Sequence, residues 1–231
     1  VIGFEVKVDP NQFGPELLRR WAFSVNNALA KAAANARGRC RRIYRKALQN
    51  SREYRALFME VPSPNSVGLQ GELGLADPET DVNNIIDATV GALKIEIIKA
   101  KASWAGLGSI QDFGGLRVVV VPKDLSFLLS LDSASYTSYR GEVEWLSWLL
   151  YSGTSVIISD YYVMYDGSGE PVAASRTDDA LMVPRGKSKR NFKIRASFSG
   201  VDGNNWITRA GLKAEEEIKN ALTEELRKAL S

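Results

Sequence analysis

The sequence predicts an α+β fold with N-terminal helices, a central antiparallel or mixed sheet and a long C-terminal helix, within a single domain over residues 1–231. Three observations carry this. Apolar residues recur at helical spacing from Leu18 to Ala36, the period changes to twofold alternation after Gly91, and helical spacing returns from about Asn205 to Leu230. Adjacent strands are joined mostly by turns or short helices, which favours α+β over a doubly wound sheet. A chain of 231 residues, 45% apolar and 25% charged, is long enough to bury a sizeable core.

The opening "VIGFEVKV" alternates strictly, with Ile2, Phe4, Val6 and Val8 on one face, and reads as a half-buried strand. Pro15 and Glu16 then suit a helix start. That helix is expected to reach Ala36 and to bend or break at Gly38. A second piece follows to Leu48 and a short third one covers Arg52–Met59. The stretch from Val61 to Ala76 is rich in Pro and Gly and reads as a long connection. Asp77-Pro78-Glu79 has the N-cap, N1 proline and first-turn acid of a helix start. "ALKIEIIKAKAS" and "LRVVVVP", separated by the Gly-rich "WAGLGSIQDFGG", read as a hairpin, and "DLSFLLSLD" as a short helix or buried turn. "ASYTSYRG" is extended and leads into "GEVEWLSWLLYSG", a short helix whose Trp145 and Trp148 are candidate core. "SVIISDYYVMYD" is a strong strand, and "DALMVPRG" and "NFKIRASFSG" are weaker extended segments. In the last helix Glu215 precedes Lys219, and Glu224 precedes Lys228, by four residues.

The net charge of +3 is unevenly placed. The basic helical part, about 12–59, holds Arg19, Arg20, Lys31, Arg37, Arg39, Arg41, Arg42, Arg45, Lys46, Arg52 and Arg55, against the acids Glu16 and Glu53 up to residue 55. Such a bias fits a polyanion footprint, a solvated helix face, or a face meeting an acidic partner subunit.

Histidine is absent, which excludes a Ser-His-Asp triad, a Cys-His dyad and a histidine-based zinc site. The single cysteine, Cys40, excludes an internal disulfide and fits a reducing compartment. Its neighbours Arg39 and Arg41 could lower its pKa, but it has no evident base. Gly106-Leu107-Gly108 lacks the third glycine and the following helix of a nucleotide loop. Glu142 with Glu144, and Asp178 with Asp179, are ordinary turn and helix-start acids and define no glycosidase pair. No catalytic residue, metal site or cofactor is expected, and no apolar run approaches the ~18–20 residues of a membrane span. Charges interrupt the opening segment, which is therefore not expected to act as a secretory leader. The start at Val1 fits a leading Met that was removed or left unnumbered.

Four segments, "LQGELGLADPETDVNNII" (69–86), "GEVEWLSWLLYSGTSVIISDYYV" (141–163), "ASRTDDALMV" (174–183) and "GVDGNNWITRA" (200–210), occur in an order and spacing that resemble the neck and tail-completion family of tailed bacteriophages. The resemblance covers about two thirds of the chain, from Leu69 to Ala210. The chain departs from the family pattern in three places. Glu144 stands where a proline is expected, Asp178 where a glycine follows "S-R-T", and Phe192, Ile194, Arg195 and Ala196 replace a Trp-Val-Pro-Pro stretch. The resemblance implies a non-enzymatic virion protein that forms a homo-oligomeric ring, joins the portal or connector proteins to the tail proteins, and surrounds the packaged DNA. Candidate DNA-lumen or subunit contacts are then Arg37, Arg39, Arg41, Arg42 and Arg45. Candidate assembly-interface residues are Arg176, Trp206 and Arg209, Arg and Trp being enriched at interface hot spots. A non-sequence-specific nucleic-acid-binding module using the basic N-terminal helices is the alternative.

Overall fold

The N-terminal helix runs further than its glycine suggests. In the computed structural model, which describes residues 10–58, 68–103, 109–138, 141–157, 161–165, 180–184 and 192–231, helix α1 is continuous over Pro10–Gln49. Gly38 costs an exposed helix about 1 kcal/mol relative to alanine. The apolar stripe nevertheless continues across it, with Ala36, Cys40, Ile43 and Tyr44 all buried, and that burial outweighs the glycine. The expected strand at residues 2–8, the first part (61–67) of the 61–76 connection, the tip of the Gly-rich segment, and Arg176 lie outside the described residues; the rest of that connection contains a short helix over Gln70–Leu73 rather than loop alone.

The α+β class holds. Helices α2 (Arg52–Leu57), α3 (Gln70–Leu73) and α4 (Pro78–Gly91) are followed by strands β1 (Lys94–Ile98), β2 (Lys101–Ser103), β3 (Ser109–Asp112) and β4 (Gly115–Val119). Next come α5 (Ser126–Leu129), a 3-10 turn over Asp132–Ala134, β5 (Tyr136–Ser138), β6 (Gly141–Val143), α6 (Trp145–Tyr151), β7 (Tyr161–Tyr165), β8 (Ala180–Pro184) and α7 (Trp206–Leu230). Pairing is antiparallel throughout the described strands. They form four separate two-stranded ladders, β1 with β4, β2 with β3, β5 with β6 and β7 with β8, where the sequence suggested one central sheet. Each ladder joins segments close in sequence.

Where the sequence suggested one domain, the chain divides into two compact units, both discontinuous in sequence. Unit 1 comprises Val1–Arg41, Lys94–Val119 and Glu216–Ser231; unit 2 comprises Arg42–Leu93 and Val120–Glu215.

In unit 1, α1 buries Ala28, Leu29, Ala32, Ala33 and Ala36, and α7 contributes Ile218, Ala221 and Leu222. The β1–β4 hairpin is fastened to α1 by Asn26. Its Oδ1 accepts from the Ala100 N–H at 2.8 Å, and its Nδ2 donates to the Ala100 carbonyl at 3.3 Å. The Trp21 and Phe113 rings meet edge to face nearby, with centroids 6.0 Å apart. Arg39 donates to Glu224 of α7 at 2.5 Å.

In unit 2, α4 starts as its sequence dictates. Asp77 Oδ1 accepts from the Thr80 N–H at 3.0 Å and Pro78 occupies the first turn. Its stripe of Val82, Ile85, Ile86 and Val90 is buried, each aliphatic side chain contributing roughly 1.5–3 kcal/mol. Trp145, Leu146, Leu149 and Leu150 of α6 are also buried. Trp145 is the core indole: it is fully buried and its Nε1 donates to the Ser133 carbonyl at 2.9 Å. Trp148 is only half-buried, its ring 6.1 Å from Phe192. "NFKIRASFSG" forms no strand in its described part, yet Phe192, Ile194 and Phe198 are buried.

Candidate functional site

The candidate residues near the C-terminal helix belong to one buried cluster of unit 2. Asn205 caps α7. Its Oδ1 accepts from the Thr208 N–H at 3.1 Å, while Thr208 Oγ1 accepts from the Asn205 N–H at 2.8 Å, a reciprocal cap that satisfies two helix-end donors. The next residue, Trp206, is fully buried, and its Nε1 donates to Ser51 Oγ at 2.7 Å. Ser51 also accepts from the Tyr54 N–H at 3.0 Å, as N-cap of α2, and donates to the Leu48 carbonyl at 2.6 Å. Trp206 is thus corrected from an assembly-interface candidate to a core residue: no partner can reach an indole with zero exposure.

Arg209 lies about one turn further along α7. Its Nη2 donates to Glu53 Oε1 at 2.8 Å, and its Nη1 reaches Asn204 Oδ1 at 3.2 Å and the Asn204 carbonyl at 3.3 Å. Longer contacts run to the carbonyls of Ser199 and Phe198. Glu53 is 5% exposed and the Arg209 side chain 25%, so the pair is largely desolvated. Arg52 Nε lies 3.5 Å from the same carboxylate oxygen. A planar guanidinium with five donors suits this job of holding a loop and a carboxylate at once. Arg209 therefore fastens the 198–204 loop to α2, and sequence reasoning missed its partner. The available signal was Glu53 itself, one of two acids in a strongly basic stretch.

The same loop allows no side chain at Gly200. A Cβ there would stand 2.5 Å from Asn205 Cβ, 2.7 Å from the Leu150 carbonyl oxygen and 2.8 Å from that of Leu149. The Gly200 carbonyl accepts from the Gly153 N–H at 2.8 Å, and Gly153 itself takes a φ of 56°. The expected Gly153–Thr154 turn is thereby tied to the "GVDGNNWITRA" segment. A second tie passes through Ser133, whose carbonyl accepts from Trp145 and whose Oγ accepts from Asn84 Nδ2 at 2.9 Å. Residues of the first, second and last motif segments are thus linked within unit 2.

The five basic candidates on α1 fare differently. Arg39 and Arg45 are held by carboxylates, Arg39 by Glu224 and Arg45 by Asp87. The hydrogen bond from Arg39, helped by Lys228, holds the Glu224 carboxyl below its usual range, and the same contact raises Arg39. Arg41 is half-buried. Arg37 and Arg42 are exposed, and no ion pair engages either among the described residues. Cys40 is fully buried. Burial pushes its thiol pKa up, and this outweighs the opposing pull of Arg39, correcting the expectation of a lowered value.

Among the described residues no group of three or more Cys, Asp and Glu gathers where a metal ion could sit, and no helix is long and apolar enough to cross a membrane. Comparison with protein-family models, curated proteins and solved structures gave no match.

Proposed function

We propose that this chain is a structural subunit of a phage neck or tail-completion ring, joining the portal or capsid vertex to the tail, with DNA passing through its lumen. The observation that carries the reading is the meeting of the resembling segments in unit 2. Asn84 and Trp145 converge on Ser133, Gly153 bonds Gly200, and Trp206 and Arg209 tie the last segment to α2 and its cap through Ser51 and Glu53. Residues that look like a family motif in the sequence therefore serve one joint structural purpose. In this reading the motif residues build the scaffold and leave assembly to surfaces outside the cluster. The protein is located in the virion, at the neck or tail end, and in the host cytoplasm during assembly.

The test combines two measurements. Mass spectrometry of purified particles is expected to detect the chain, and native mass of the purified protein is expected to give a closed oligomer with head-to-tail contacts. A strictly monomeric protein absent from the particles rejects the proposal. The second reading, a non-sequence-specific nucleic-acid-binding module, is favoured by the exposure of Arg37 and Arg42 on α1. It predicts steeply salt-dependent DNA binding by a protein that is missing from purified particles.

A further inference from the structure

Charge is divided between the two units more sharply than the net value suggests. Unit 1 carries fourteen Lys and Arg against nine Asp and Glu, a net of +5, which leaves unit 2 at −2. Part of this positive charge lies on α1 and part on the hairpin, some sixty residues later in the chain. The Asn26 clamp joins them. Its two bonds to Ala100 set the flanking Lys99 and Lys101 beside α1. Arg19, two turns before Asn26, and Arg37, three turns after it, lie on the same side of the helix, since spacings of seven and eleven residues nearly complete whole turns. Arg19, Arg37, Lys99 and Lys101 are all exposed, and no ion pair engages any of them among the described residues. Of the neighbouring acids, Glu16 is engaged by Arg20 and Glu96 by Arg117, while Asp112 stands opposite Lys101 in the β2–β3 ladder.

We propose that Arg19 and Arg37 of α1, together with Lys99 and Lys101 of the hairpin, form a phosphate-backbone contact surface for duplex DNA. At 1.5 Å per residue the two arginines stand roughly 27 Å apart along a straight helix, with the lysine pair between them. A linear row of cations on a stiff rod matches a stiff linear polyanion. An anionic membrane fits less well: interfacial helices insert one continuous apolar face, whereas α1 buries Leu29, Ala32, Ala33 and Ala36 in its own fold and exposes Leu17 and Phe23 in different directions, six residues apart. The surface contains no arrangement for reading base edges, so binding is blind to sequence. This inference rests on the preceding proposal only in taking DNA as the polyanion.

The test uses the purified full chain and two unrelated 20-base-pair duplexes, with affinity measured by fluorescence anisotropy across a salt series. Wild type is expected to bind both duplexes equally, with a steep negative slope of log K against log salt. K99Q/K101Q is expected to flatten that slope by about 1.8 if each lysine meets one phosphate. The charge-matched control K193Q/K213Q, two exposed lysines of unit 2, is expected to leave it unchanged. All four positions are exposed, and a thermal melt of each variant checks folding. Equal flattening by the control, an unchanged slope in K99Q/K101Q, preference for one duplex, or binding to phosphatidylserine vesicles without DNA binding each overturns the inference. None of these outcomes changes the particle content or the oligomer mass, so failure here is separable from failure of the ring reading.

Discussion

Arg209 Nη2 and Glu53 Oε1 stand 2.8 Å apart across 156 positions of sequence, with the carboxylate almost entirely out of water. Removing one partner of such a pair leaves a buried charge with little compensation. Arg209→Ala is expected to destabilise unit 2 by about 3 kcal/mol. The double variant Arg209→Met/Glu53→Gln is expected to lose clearly less, because it removes the stranded charge as well. Urea unfolding of wild type and the two variants measures this, and a double variant that loses as much as Arg209→Ala or more would show that no stranded charge is at work.

The two tryptophans of α6 are expected to separate in their effects. Trp145 is fully buried and hydrogen-bonded, and Trp145→Ala is expected to cost roughly 3–5 kcal/mol. Trp148 is half-buried, so Trp148→Ala is expected to cost distinctly less. Equal losses in thermal or chemical denaturation contradict the placement of the two rings.

Gly200→Ala places a methyl group against two carbonyl oxygens and a Cβ, none of which can swing aside as a flexible side-chain end would. A loss of about 1–3 kcal/mol is expected from overpacking, with the neighbouring Gly203→Ala affected through its positive φ of 73° rather than through any clash. Chemical denaturation of Gly200→Ala beside wild type decides it, and an undiminished midpoint would show that the loop relaxes freely.

The cap of α4 gives a pH dependence with a defined sign. Hydrogen bonds from Thr80 hold the Asp77 carboxyl below its ordinary value. A carboxylate with a depressed folded pKa stabilises the fold fully above its unfolded value of about 3.9, and loses that contribution as pH falls through the folded value. Asp77→Asn keeps a capping side chain but no titration. The melting-temperature gap between wild type and variant is therefore expected to be largest near about pH 6 and to close toward about pH 2.5. A gap independent of pH would rule out this role for the carboxyl.

Cys40 is expected to react slowly with a thiol reagent at about pH 8 in the native protein and rapidly after unfolding, because burial both shields the sulfur and disfavours the thiolate. Stopped-flow labelling with and without denaturant measures the ratio. Fast native labelling would place the thiol at the surface.

Local cues were the legible ones. Asp77-Pro78-Glu79 announced α4, alternation about a Gly-rich centre announced the hairpin, and the Glu224–Lys228 spacing appears as an ion pair at 3.1 Å. Lys219 instead lies 3.8 Å from Glu216, since a helix offers both three- and four-residue neighbours. Gly38 misled because intrinsic propensity is weaker than burial. The roles of Trp206 and Arg209 were hidden for a different reason. Both depend on partners about 155 positions earlier, Ser51 and Glu53, which by themselves look like an ordinary helix-start serine and acid. The Asn26–Ala100 clamp, across 74 positions, is equally silent in the sequence.

The distance along the chain between Arg209 and Glu53 also orders events during synthesis. At typical translation rates of about 5–20 residues per second, Glu53 leaves the ribosome many seconds before Arg209 exists. For that interval the emerging chain has no guanidinium from α7 to neutralise this carboxylate and no indole to meet Ser51. Unit 2 therefore cannot close residue by residue as it is made; its earliest helices must wait, solvated, for one of its last segments. A ribosome stalled before Asn205 is expected to hold a chain that resists no protease at α2, while one stalled well past Arg209 holds a protected one.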